Sequence, residues 1–405
     1  MLAGLMTVLV VVPTAFSRPS APAAYYVSAQ GDDANDGRSQ QTAWRTLSNV
    51  ANASLHPGDS VLLRGGDTFV GPLKTRSSGA EGAPILFSSY GTGRARVVGS
   101  ADAAAVYLNS NRFVTFSKLD VSAPRSNCIL ASAYGTGASD VRFDDLRIHD
   151  CGDAGLSAGN VADARITLTN STVANTQGCG LHFSGAGFRI LGNEIRNTGL
   201  NASGSLTYPL HGIYARGPRP TIVDNRIVDF QTAGITIRST GSDLERNTIV
   251  ALSRGRRGIS YYQETDTKGT TRITDNTIDG VSIQGIAIDN GATTSEFGGG
   301  QATASTSEAF VVSGNDITMG GDRTAHIVEG IRILRVRNAA ITRNRVRGRL
   351  DHVFTAFGPT GVYSEGRNDW RANPSSRVFS WNGRPMTFAR YAAASGEGVG
   401  DTFGQ

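Results

Sequence analysis

Two short phrases alternate along most of this chain, and no other feature narrows its possible folds as far. The first has the form G-I-x-I: AGLSA at 154, CGLHF at 179, HGIYA at 211, AGITI at 233, RGISY at 257, QGIAI at 284 and EGIRI at 329. The second has the form I-x-x-N-x-I: LTNSTV at 168, ILGNEI at 190, IVDNRI at 222, LERNTI at 244, ITDNTI at 273, VSGNDI at 312 and ITRNRV at 341. Asn193, Asn225, Asn247, Asn276, Asn315 and Asn344 mark the beat, at intervals as short as 22 residues. Longer intervals read as inserted loops, at 199–209 and 291–308.

Strands of three to five residues cannot bury an apolar face alone, so units of this size are stable only when stacked. No helical pattern separates the phrases. A leucine-rich repeat has a similar period but needs an LxxLxLxxN phrase and a helical return. A propeller needs a longer period and antiparallel hairpins. The pattern predicts an all-β fold, a right-handed parallel β-helix of about 10–12 coils with three short parallel sheets. The recurrent asparagine suits the bend between strands, because Asn tolerates left-handed backbone and can bond locally. Stacked amides can also form a ladder. Asn225 and its counterparts are therefore read as structure.

A chain of 405 residues would ordinarily divide into two or three domains. A stacked array needs no such division, so residues 25–405 are read as one domain. Within it, 25–60 form a cap, 61–355 the coils and 356–405 a closing segment. The cap carries a strand at 25–28, an acidic turn and an amphipathic helix near 43–54, placed to cover the first open coil. Its NDG lacks the spaced ligands of a dedicated calcium loop and is read as cap geometry.

Glycine is high at 50 residues while charged residues are only 18%, and the formal charge of +5 is mild. That charge is compatible with an anionic polymer as partner. No basic run with interleaved aromatics points to nucleic acid. Residues 5–12 form an apolar stretch too short to span a bilayer, followed by small residues where a signal peptidase could cut near Ala23 or Ala24. The basic segment that usually opens a signal peptide is missing, since the first positive charge is Arg18. Residues 1–24 are still read as a signal peptide, which predicts a secreted or periplasmic protein, and a monomer is expected. Cys128, Cys151 and Cys179 are neither a disulfide framework nor a zinc pattern. One pair bridging neighbouring layers and three buried thiols both remain open.

The opening YYVSAQGDDANDG, followed by AWRTLSNVA and LHPGDSVLLRGGDTFVGPL, resembles the start of the pectate-lyase-like superfamily of right-handed parallel β-helix proteins. The repeats to about residue 350 agree, and the tail FSWNGRPMTFARYAAASGEGVG resembles the closing segment of secreted members acting on polysaccharides. The resemblance is specific for fold and weak for chemistry, because the superfamily includes lyases, glycoside hydrolases, uronate epimerases and inactive binding proteins. Members similar to chondroitinase B and alginate lyases use a Lys–Arg pair with calcium, which makes calcium the cofactor to consider. That lysine has no counterpart, since only Lys118 and Lys268 lie between residues 100 and 400. The DPH motif of alginate epimerases is also absent, its place being taken by YPLHG at 208–212.

Side chains alternate in and out along a strand. In the G-I-x-I strands the inward set is Ile213 and Ala215, Ile235 and Ile237, Ile259 and Tyr261, and Ile286 and Ile288. The outward column reads Ser157, His182, Tyr214, Thr236, Ser260, Ala287 and Arg332, followed one step along by Ser184, Arg216, Arg238, Tyr262 and Asp289. His211 lies at the edge of this patch and Glu264 enters from the next turn.

Such a face suits an acidic sugar, because Arg binds carboxylates through paired hydrogen bonds. The expectation is β-elimination on a uronate polysaccharide, with His211, Tyr214, Arg238 and His182 as catalytic residues. Arg216, Tyr262, Glu264 and Asp289 are expected to bind substrate. The main rival is hydrolysis, which needs two carboxyl groups about 5–9.5 Å apart. Glu264 with Asp289 is the pair for it, or Asp266 in place of one. Epimerisation and glycan binding without catalysis are the remaining alternatives. His149 is a weaker candidate for the same rim, and His326 and His352 are set aside.

Overall fold

The computed structural model describes residues 21–131, 138–159, 164–201, 210–239, 241–262, 269–289, 308–320, 327–336, 338–358, 363–372 and 374–404. Each coil passes through three sheets in turn. A representative coil runs from Thr221–Val223 in sheet A to Arg226–Phe230 in sheet B and Ala233–Ile237 in sheet C, then returns to sheet A at Asp243–Glu245. The sheets hold 13, 13 and 12 strands among the described residues. These counts include the cap strand Ala24–Val27, the closing strand Thr402–Phe403 and the hairpin strand Arg384–Met386, so the stack agrees with the 10–12 coils expected. All pairings within the stack are parallel except the last in sheet C, where Phe379–Trp381 meets Arg384–Met386 in a hairpin.

The period of two along each short strand sends one side chain per sheet into the interior, and equivalent positions stack in register. In sheet C the inward column runs Ile213, Ile235, Ile259, Ile286, Ile331, Phe354 and Phe379. In sheet B it runs Ile195, Ile227, Ile249, Ile278, Ile317 and Val346, ending on Trp370. These side chains are fully buried. Burying each gives roughly 1.5–3 kcal/mol, which offsets the ordering of its strand. Tyr261, placed in the core by its alternation, is buried and packs edge-on to Phe310.

The asparagine beat is the corner between sheets A and B. Asn225 Nδ2 donates to Asn247 Oδ1 at 3.0 Å and to the Ile190 carbonyl at 2.8 Å, while its N–H donates to the same Asn247 Oδ1 at 3.1 Å. The pattern continues through Asn276, Asn315, Asn344 and Asn368. The ladder was anticipated, but the left-handed residue was misplaced. Positive φ falls one position earlier, at Asp224 (57°), Arg246 (51°), Asp275 (55°) and Arg343 (57°), with Gly192 and Gly314 at the same step of other coils. The bend belongs to that residue, and the asparagine is left free to bond along the stack.

Both ends are covered. Residues 43–46 are extended rather than helical, because Trp44 bridges to Val27 and stacks on Tyr25 at 5.1 Å. The capping helix is therefore only Leu47–Asn52, opened by Thr46, whose hydroxyl accepts from the Ser48 N–H. The acidic turn is cap geometry, with Asp33 accepting from the N–H groups of Arg45 and Thr46. At the other end a helix, Phe388–Ser395, lays Tyr391 against Phe379. Cys128 and Cys151 form a disulfide, and Cys179 is a buried free thiol. No described helix is long and apolar enough to cross a membrane.

Candidate active site

The glycine of each G-I-x-I phrase is a packing requirement. A Cβ on Gly212 would lie 2.6 Å from the Gly234 carbonyl oxygen and 2.6 Å from Ile227 Cγ2. The backbone thus presses against sheet B, and the residue before each glycine starts a column of its own. That column pairs Ala233 with Arg257, then Gln284, Glu329 and His352. The outward column follows the expected register, through Ser157, His182, Tyr214, Thr236, Ser260, Ala287 and Arg332. Together the two columns line the outer face of sheet C.

One end of this face is aromatic and basic. Tyr214 is buried, with the His182 ring stacked on it at 5.4 Å and the His211 ring tilted against it at 5.2 Å. Arg238 Nη1 donates to the Tyr214 phenol oxygen at 3.3 Å. Thr236 Oγ1 lies 3.2 Å from His211 Nδ1 and fixes that ring. Burial holds His211 down to about 3, with the positive charge of Arg257, His182 and Arg238 adding to the effect. Burial and the Arg216 charge hold the half-buried His182 down to about 4. Both imidazoles are neutral at neutral pH and able to accept a proton. His182 also borders a cavity of about 190 Å³ shared with Asn127, Asp153, Ala154, Ser157 and Cys179.

The other end mixes charges. Arg257 Nε donates to Gln284 Oε1 at 2.8 Å, and Gln284 Nε2 donates to Glu329 Oε2 at 2.8 Å. Arg332 Nη1 reaches the same Glu329 oxygen at 3.3 Å, while its Nε lies 3.6 Å from Asp289 Oδ1. Asp289 is 7% exposed, and burial raises its pKa against the opposing charges of Arg332 and Arg257. Tyr262 pairs with Asp289 in register and is also buried.

His182, His211, Tyr214 and Arg238 are therefore brought together as expected, with the charge of Arg216 acting on His182. Tyr262 and Asp289 share the face but belong to its far end. Glu264, Asp266 and His326 lie outside the described residues. His149 is not on this rim: it stands on sheet B, where Nε2 meets Asp120 Oδ1 at 2.9 Å and Nδ1 meets Asp150 Oδ2 at 2.7 Å. Its position was misjudged because the HDCGDAG stretch straddles the B-to-C corner. Arg257, Gln284 and Glu329 were passed over, although each stands directly before the glycine of a repeat, like His211. Among the described residues, no group of three or more His, Cys, Asp or Glu could hold a metal ion.

A family model for a right-handed β-helix region matches residues 127–302. The structure of XylC in complex with xylose superimposes with a TM-score of 0.59 at 11% identity, covering 88% of this chain and 86% of that one. The fold is the right-handed parallel β-helix. A lacto-N-biosidase from Bifidobacterium longum subsp. longum is 41% identical over 83 residues, which is 19% of this chain and 5% of that protein. The chain thus spans a small fraction of that curated relative. A lacto-N-biosidase structure from Eubacterium ramulus has a TM-score of 0.48 at 16% identity, covering 94% of this β-helix and 68% of that chain.

Proposed function

We propose that this β-helix is a carbohydrate-active enzyme, exported from the cell, that cleaves an acidic polysaccharide by β-elimination at the His182–Tyr214–Arg238 cluster. One observation carries the reading: a phenol with a guanidinium on its oxygen, flanked by two imidazoles that burial keeps neutral. The 41% identity over 83 residues to a lacto-N-biosidase supports a carbohydrate substrate.

In β-elimination the proton leaves the carbon next to the uronate carboxylate, which becomes acidic only when the carboxylate charge is neutralised. Arg216 and Arg238 supply that charge. His182, half-buried and open to the cavity, takes the C5 proton. The C5–H electrons form the C4–C5 double bond, and the C4–O4 bond breaks toward the leaving chain. Tyr214, with Arg238 donating to its phenol oxygen, gives its O–H hydrogen to the departing oxygen. The proton held on His182 then restores the phenol, so neither water nor an oxidant is consumed. His211, held by Thr236, positions the Tyr214 ring.

The test is ultraviolet absorbance of the unsaturated uronate product across a panel of uronate polysaccharides, with and without calcium, alongside product masses. Absorbance that rises with wild type and is abolished in His182→Ala and Tyr214→Phe supports the reading. Products heavier by one water, with no absorbance, would replace it with hydrolysis, for which Asp289 with Glu264 or Asp266 is the expected pair. Intact polymer that is nevertheless bound would replace it with glycan recognition.

A further inference from the structure

The far end of the same face has a different chemistry, and it bears on what the substrate must be. Asp289, Glu329, His352 and Thr355 are all less than a tenth exposed, yet they sit on the outer face of sheet C. His352 Nδ1 and Thr355 Oγ1 have no hydrogen-bond partner among the described residues, and Asp289 Oδ1 and Arg332 Nε meet only as an ion pair at 3.6 Å, beyond hydrogen-bond distance. Buried polar atoms left unfilled in this way are destabilising. A ligand that fills them recovers much of that cost on binding.

Charge decides which ligand. Arg257, Arg332 and Arg335 act on Asp289, and Glu329 and Asp351 act on His352, three cations against three carboxyl groups, so this end presents no surplus positive charge to a uronate. A uronate carboxylate placed here would meet the oxygens of Asp289 and Glu329 directly. A sugar hydroxyl both donates and accepts, as this cluster requires. The carboxyl oxygens of Asp289 and Glu329 accept, Arg332 Nε donates, and Thr355 Oγ1 and His352 Nδ1 match either role. Along the outward column Arg332 stands four strands beyond Tyr214, about 19 Å at the usual strand spacing. That separation places the cluster a few sugar residues from the proposed cleavage point on one bound chain.

We propose that Asp289, Glu329, Arg332, His352 and Thr355 form a subsite for an uncharged sugar residue, and hence that the substrate is a heteropolysaccharide alternating uronate with neutral sugar. The substrate class rests on the β-elimination reading, whereas the subsite itself does not.

The experiment has two arms. In the first, kcat/KM is compared between homopolyuronates (polygalacturonate, polymannuronate) and alternating polymers (hyaluronan, unsulfated chondroitin). The alternating polymers are expected to be at least tenfold better, and Thr355→Val is expected to raise KM for them about tenfold while leaving kcat unchanged. Equal turnover of homopolyuronates, with no effect of Thr355→Val, overturns the substrate class. The second arm needs no turnover: calorimetry with neutral oligosaccharides of glucose, galactose, xylose and N-acetylglucosamine. Binding that survives Tyr214→Phe and is lost in both Thr355→Val and Asp289→Asn supports the subsite even if no polymer is cleaved. No binding by any of them, with the variants folded, overturns it.

Discussion

Two polar columns run through this molecule, and they are built on opposite principles. The corner between sheets A and B repeats asparagine from coil to coil, each amide bonded to the next from Asn193 to Asn368. The column that opens sheet C changes at nearly every coil, from Cys179 through His211, Ala233, Arg257, Gln284 and Glu329 to His352. A stack of identical units needs the same interaction at each interface, so uniformity marks a structural role. A ligand lying across several coils presents different groups to each, so variation is what the proposed binding face requires. The two columns share one backbone repeat, and the difference between them separates architecture from chemistry.

The sharpest way to break this contrast is to delete a single oxygen from the variable face. Tyr214→Phe removes the phenol that Arg238 contacts and leaves the ring against His182 and His211. Turnover should fall by about 10²–10⁴-fold, the usual contribution of a positioned proton donor, while the melting midpoint moves little. The activity that remains in wild type should persist on the acid side, because His182 stays neutral down to about pH 4. A rate that collapses near the ordinary histidine value of about 6.5 would remove His182 from the role of base.

The uniform column should respond in the opposite sense. Asn247→Ala deletes the oxygen that accepts both the N–H and the Nδ2 of Asn225, and the donor to the Ile222 carbonyl. Stability should drop by about 2–4 kcal/mol, because buried partners on both sides are left unsatisfied, with kcat unchanged in the folded protein. Denaturant unfolding against steady-state rates separates the two outcomes. An Asn247→Ala protein that melts normally but has lost activity would reverse the assignment of the columns.

How much of this was legible in sequence follows from the same distinction. Isoleucine and asparagine at fixed intervals exposed the solenoid, and strict alternation put His182, Tyr214 and Thr236 in one outward column, which the register bears out. Period reports only what recurs. Glu329 and Arg257 each precede a repeat glycine but vary against their stack neighbours, so their partnership through Gln284 emerges only once the coils are in register. His149 shows the converse error: proximity in sequence to a sheet C strand says nothing about which side of a corner a residue occupies. The left-handed bend was assigned to the asparagine because Asn favours it in general, yet the ladder uses that amide elsewhere and passes the bend to Asp224, Arg246 and Asp275.

The uniform columns also reveal themselves where they stop. In sheet A the inward position after Ile341 is Glu365, buried in a place that holds isoleucine, leucine, valine or phenylalanine in the coils below. It accepts from Asn368 Nδ2 at 2.5 Å and from the Tyr391 hydroxyl at 3.0 Å, beside Asp401, which takes the last N–H of the ladder. Burial, the Asp401 charge and a hydrogen bond shared with Asp401 push its carboxyl up to about 9. A carboxyl raised in the folded state stabilises when protonated. That contribution is complete below the unfolded value of about 4.3 and fades as pH climbs toward the folded one. Glu365→Gln keeps an acceptor for Asn368 Nδ2, turns the oxygen facing Tyr391 into a donor to that hydroxyl, and removes the titrating proton. The melting midpoint at pH 8 should rise by a few degrees, and the decline from mildly acidic to alkaline pH should flatten. A midpoint lowered at every pH would show instead that the carboxylate itself is needed.

The smallest expected effect tests whether the ladder or the bend beside it holds the corner. Arg246 precedes Asn247 with a left-handed φ of 51°, and its guanidinium pairs with Asp224 through bonds of 2.8 and 3.1 Å. Both side chains are about half exposed, so the pair is screened and contributes little. Arg246→Gly removes that pair and at the same time relieves a conformation that only glycine adopts freely, as Gly192 and Gly314 do at the same step. The two changes oppose each other, and the melting midpoint should not move measurably. A loss as large as that of Asn247→Ala would mean that the arginine, rather than the amide one residue later, fixes the turn. The uniformity of the asparagines would then reflect a bend the chain already has, instead of the bonds that keep its coils in register.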